Sequence, residues 1–143
     1  MISNFDCKQK AFASLLLVVL LSLVGCAAKI PVDRMIQLTE GADTKGSYKT
    51  GQVTVEYTFN RSGDNMSMNG TVMHYGGFDS LNVFALFSDA NGQELQRRLV
   101  YSTGYRAGRG YKGGGNFEEN LKVPPGTAGF VFSYSGKPRQ SSR

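Results

Sequence analysis

The chain has 143 residues, a formal charge of +5, 11% aromatic residues, one histidine and two cysteines. That length suits a single domain after any targeting segment is set aside. The mild basic balance is no nucleic-acid signature, and a lone histidine leaves no multi-histidine metal site.

The N-terminus places Lys8 and Lys10 before the short apolar run Ala11–Leu21 and then Ser22-Leu23-Val24-Gly25-Cys26. A membrane span needs about 20 apolar residues, so this run reads as an export signal. Leu23-Val24-Gly25-Cys26 resembles the lipobox of bacterial lipoproteins. The resemblance implies cleavage before Cys26, acylation including palmitate on its sulfur, and attachment to a membrane of the cell envelope. Ala27 stands where an Asp would resemble the retention signal of enteric bacteria, which implies the periplasmic face of the outer membrane in a source with two membranes. Without residues 1–25 the chain keeps 118 residues, a charge of +4 and one cysteine, so no internal disulfide is possible.

Residues 26–50 mix Pro31, Gly41 and Gly46 with Ser and Thr, and read as a lipidated N-terminus and tether. Within it, Val32–Leu38 is apolar enough to dock on the domain. From Gly51 the pattern takes a period of two, and residues 51–136 read as the folded domain. Val53, Val55, Tyr57 and Phe59 alternate with polar residues in a half-buried strand; Arg61–Asn65 is a turn; Met66–Tyr75 is a second strand in which Gly70 marks a bulge or a close approach. Leu81–Ser88 is apolar on both faces, so it must be covered on both. Leu81, Val83, Ala85 and Phe87 make one face; Phe84 and Leu86 make the other, to be covered by Val32–Leu38 or by another protein. Asp89–Gly92 is a hairpin turn, and Glu94–Tyr101 returns with Leu95, Leu99 and Tyr101 on one face. Alternation resumes through Phe117, Leu121 and Val123, Pro124-Pro125-Gly126 turns, and Phe130, Phe132 and Tyr134 close the domain before a loose basic tail, 137–143.

Short strands punctuated by turn residues, with no amphipathic helix, predict an all-β fold: a small antiparallel β-sandwich of immunoglobulin-like kind. The middle of the chain resembles FxLYD-type extracytoplasmic sandwich domains, through Gly70-Thr71-Val72, the Leu81–Phe87 strand running into Asp89-x-x-Gly92, and Pro125-Gly126 before a Phe-bearing strand. His74 and Tyr75 depart from that pattern, so the resemblance implies architecture only.

Gly108-Arg109-Gly110-Tyr111-Lys112-Gly113 matches the glycine fingerprint of dinucleotide-binding folds. That loop needs a helix opening on its last glycine, whereas Gly114-Gly115-Asn116 and a strand follow. No nucleotide, nucleic acid, cofactor or metal is expected. Between Glu94 and Glu118 no acidic residue occurs. Arginine pairs with phosphate or carboxylate and tyrosine adds area with a polar tip, so Tyr105, Arg106, Arg109, Tyr111 and Lys112 form a candidate contact loop for anionic lipid, acidic glycan or an envelope protein. Asp79, Asp89 and Asn91 read as turn makers, Met66, Met68 and Met73 as packing, and Glu118 and Glu119 point to opposite faces of a strand. No catalytic set emerges. The expectation is a non-enzymatic binding or assembly module at the envelope; the alternative is an accessory structural subunit bound through Phe84 and Leu86.

Overall fold

A computed structural model describes residues 29–75, 77–103 and 114–138. Val32–Arg34 forms a 3-10 turn, and eight strands follow in chain order: β1 Ile36–Gln37, β2 Thr44–Thr50, β3 Val53–Ser62, β4 Asn65–His74, β5 Phe78–Ser88, β6 Glu94–Ser102, β7 Gly114–Lys122 and β8 Gly129–Pro138. They make two four-stranded sheets. Sheet A has the order β1-β8-β5-β6 and sheet B the order β2-β3-β4-β7, with every strand pair antiparallel. The expected sandwich is the observed architecture.

Alternation decides which side chains lie between the sheets. Val53, Val55 and Phe59 of β3, Met66, Met68 and Val72 of β4, and Leu81, Val83, Ala85 and Phe87 of β5 are buried, and Phe130 and Phe132 of β8 complete the layer. Phe130 sits at its centre, with Phe59 edge-on at 5.4 Å between ring centroids, Phe132 at 5.5 Å and Phe87 at 6.0 Å. Such edge-to-face contacts add to the area that the rings remove from water.

Four details differ from the sequence reading. The segment expected as a tether, 26–50, is largely built into the domain: β1 pairs with β8, and β2 pairs with β3 over its whole length, from Thr44 opposite Phe59 to Thr50 opposite Val53. The turn expected over Arg61–Asn65 is tighter, because Ser62 pairs with Asn65 and only Gly63-Asp64 lies between them. Gly63 takes φ +60, a conformation that costs a residue with a Cβ about 1–2 kcal/mol. On β6 the register shifts between Val83 and Phe84, so that Val83 faces Tyr101 while Phe84 faces Leu99. Val100 is the extra residue of this irregularity and is buried, Tyr101 packs against the core, and Leu95 and Leu99 are exposed. Finally, β8 runs on through Lys137, which pairs with Ser80, so residue 137 belongs to the sheet and not to the tail expected over 137–143.

Gly70 is a close approach, as expected. A Cβ there would meet the Glu56 carbonyl oxygen and, at 2.8 Å, the Phe117 ring.

The sandwich has two distinguishable ends. One carries the turns Gly63-Asp64 and Asp89–Gln93, the start of β8 and the N-terminal segment: the Gly63 amide donates to Glu40 Oε1 at 3.1 Å, and Asn60 Nδ2 to Asp43 Oδ1 at 2.9 Å. The other carries the Gly51-Gln52 turn, the passage from β4 to β5, the end of β6 and the start of β7. His74 and Phe78 meet there edge-on at 5.5 Å, and Tyr101 packs on Gly115.

Candidate functional site

The N-terminal segment is the first feature to locate. Ile30 donates its amide to the Gly92 carbonyl at 2.8 Å, and the Ser88 hydroxyl, fully buried, donates to the Met35 thioether at 3.2 Å. Ile30 and Met35 pack with Leu86 and Val131 in a second apolar cluster on the outer face of sheet A. Leu86 is 7% exposed as a result. Phe84 stays half-buried at the margin of this cluster, with the Arg97 guanidinium 5.7 Å above its ring. Arg97 is held from the other side by Glu94, at 3.2 Å, and that hydrogen bond pushes its pKa up from an already high value. Of the two residues considered as a protein interface, Leu86 lies beneath the chain's own N-terminal segment, and Phe84 lies beside it under Arg97.

Cys26 and the loop residues Tyr105, Arg106, Arg109, Tyr111 and Lys112 lie outside the described residues. The points where the loop enters and leaves are described. Thr103 closes β6 by exchanging hydrogen bonds with Leu81: its amide donates to the Leu81 carbonyl at 3.0 Å, and its hydroxyl accepts from the Leu81 amide at 2.9 Å. Gly114 opens β7 beside Val72 and Met73 of β4. Both anchor points are at the end of the sandwich opposite Ile30, separated from it by the nine residues of β6, roughly 30 Å.

The remaining polar residues separate by face. His74 is buried between the sheets and opposite Val53, whereas Glu56 is exposed on the outer face of sheet B, opposite Thr71. Those two side chains cannot act on one substrate. Glu118 shares the outer face with Glu56 but lies two strands away, roughly 10 Å across the sheet. Asp89 accepts the amides of Asn91 and Gln93 on one oxygen, both at 2.9 Å, which is the work of a turn residue. Among the described residues no three of His, Cys, Asp and Glu gather as a metal site would require.

Sequence reasoning had not singled out the outer face of sheet B. Lys45, Thr58, Asn69 and Glu118 follow one another across its four strands, and Ser47, Glu56, Thr71 and Asn116 form the next row. Around Gly70 these rows border two shallow, open depressions, and Thr71 donates its hydroxyl proton to Asn116 Oδ1 at 2.9 Å. The surface is hydroxyl- and amide-rich, carries charges of both signs and has no aromatic platform among its outward rows.

Comparison with protein-family models, with curated proteins and with solved structures gave no match.

Proposed function

We propose that this protein is a lipoprotein of the bacterial cell envelope, anchored through Cys26, whose sandwich is a non-enzymatic binding or assembly module. In this reading Tyr105, Arg106, Arg109, Tyr111 and Lys112 contact an acidic partner: anionic lipid, acidic glycan or an envelope protein. One observation carries it: the N-terminal segment is fastened at one end of the sandwich, and both ends of the acid-free, arginine- and tyrosine-bearing loop emerge at the other. Anchor and contact are thus separated by the length of a rigid β-strand, and anchoring raises the effective concentration of whatever lies within reach. The opposed orientations of Glu56 and His74 support a binding role over an acid–base one.

A second reading, an accessory subunit of an envelope complex, draws on Phe84, which is only half-buried. Leu86 supports it less, since Ile30 and Met35 occupy the surface a partner would need.

Photoreactive residues placed one at a time at Tyr105 and Phe84, in the native envelope, test the choice. Adducts to lipid or glycan from Tyr105 are the expected result. A protein captured only from Phe84 makes the chain a subunit, and no adduct from either position overturns both readings.

A further inference from the structure

The N-terminal segment covers only part of sheet A's outer face. Ile30 and Met35 close over Leu86 and Val131, on β5 and β8. Over β6 the face is exposed among the described residues: Leu95 is 40% exposed and Leu99 49%, and Val32, on the 3-10 turn, is 47% exposed. The register sets Leu99 opposite Phe84 and Arg97 opposite Leu86, so both project outward on the side from which the chain arrives, and Leu95, the unpaired residue of a second irregularity between Phe87 and Ser88, is exposed.

The distance to the anchor is short. Four residue steps separate Ile30 from Cys26, at most about 14 Å when fully extended. Ile30 cannot drift from the domain, because its side chain is 7% exposed and its amide is bonded to Gly92. A small folded domain is about 30 Å across, so no globular partner fits between this face and a membrane holding Cys26.

We infer that the outer face of sheet A rests on the bilayer that holds the lipid of Cys26, with Val32, Leu95 and Leu99 at the headgroup boundary. The inference depends on the acylation proposed above. The Arg97 guanidinium lies over the Phe84 ring and is paired with Glu94, so in this orientation it caps that ring at the level of the phosphates. On and around this face Lys29, Arg34, Arg97, Arg98 and Lys137 outnumber Asp33, Asp89 and Glu94. The face is therefore net basic, and attraction to anionic lipid adds to apolar insertion. High salt screens the first contribution and leaves the second.

The chain contains no tryptophan, so a single introduced one is a clean reporter. Full-length Leu99→Trp, Leu95→Trp and, on the outer face of sheet B, Thr58→Trp would be made in a lipidating bacterial host. The acylated proteins would be placed in phosphatidylethanolamine–phosphatidylglycerol vesicles whose acyl chains are brominated near the headgroup. The expected result is loss of most emission at positions 99 and 95 and little at 58, with most of that difference kept in molar salt. Equal quenching at all three positions, or none at 99 and 95 in protein whose mass shows acyl chains, overturns the orientation while leaving the anchor intact. A mass showing Cys26 without acyl chains overturns the anchor reading, and the orientation falls with it.

Discussion

Gly70 shows how one missing side chain holds two strands in place. Its Cα lies where any Cβ would press on the backbone carbonyl of Glu56 and on the Phe117 ring, and backbone cannot step aside as a flexible side chain can. Gly70→Ala is therefore expected to destabilise the domain by about 1–3 kcal/mol, the cost of overpacking, read as a lower urea midpoint at an unchanged slope. The tyrosines carry a pH effect. Burial pushes Tyr57 above the ordinary phenol pKa of 10.0 and does the same for Tyr48, where Arg34 opposes the shift and Asp33 adds to it. Below pH 10 both phenols are protonated whether the chain is folded or not, and their contribution to stability is fully present. As pH rises further the unfolded chain releases these protons first, so stability is lost up to the folded-state values. Urea midpoints should fall as pH rises through and above 10, and Tyr57→Phe should flatten that fall; an equal fall in the variant would show that these protons do not matter.

Between elements, the decisive contact joins the N-terminal segment to sheet A. A tether would be dispensable, but Met35 fills a space bounded by Leu86, Val131 and the Ser88 hydroxyl. Met35→Ala should cost about 2 kcal/mol, the low end for a buried methionine because its cluster is small, and thermal unfolding would show it. Arg97→Ala should cost under about 1 kcal/mol, since its partner Glu94 and its perch over Phe84 are both at the surface. The same comparison explains what was legible. β3 and β5 announce themselves because their inward positions are apolar, Val53-Val55-Tyr57-Phe59 and Leu81-Val83-Ala85-Phe87. β2 does not: its inward row is Thr44, Gly46, Tyr48 and Thr50, and the space above Gly46 is taken by the Tyr57 ring reaching across from β3. A strand whose core contribution comes from its neighbour leaves no period of two to read. The outward facing of Leu95 and Leu99 was hidden for another reason. The irregularity at Val100 reverses the alternation of β6, and nothing in its composition marks the place.

Taken together, the fold sets the two sites of the proposed function at two ends. Ile30 fastens one end within four residues of Cys26, and the loop carrying Arg106, Arg109 and Lys112 begins and ends at the other. The glycines and arginines of that loop were visible in the sequence, but the end at which β6 stops before it and β7 starts after it follows only from the pairing of β6 with β5 and of β7 with β4. Replacing Arg106, Arg109 and Lys112 with Gln should abolish partner capture from Tyr105 while leaving the unfolding free energy within about 0.5 kcal/mol of the parent. All of this depends on what is attached to Cys26. Trypsin cutting after Lys29 would release the N-terminal peptide Cys26-Ala27-Ala28-Lys29 from the mature chain. Mass spectrometry of that peptide from the native envelope is expected to show it beginning at Cys26 and carrying acyl chains. A chain that still begins before Cys26, or that begins there with an unmodified amine and thiol, would contradict the anchor and the orientation built on it.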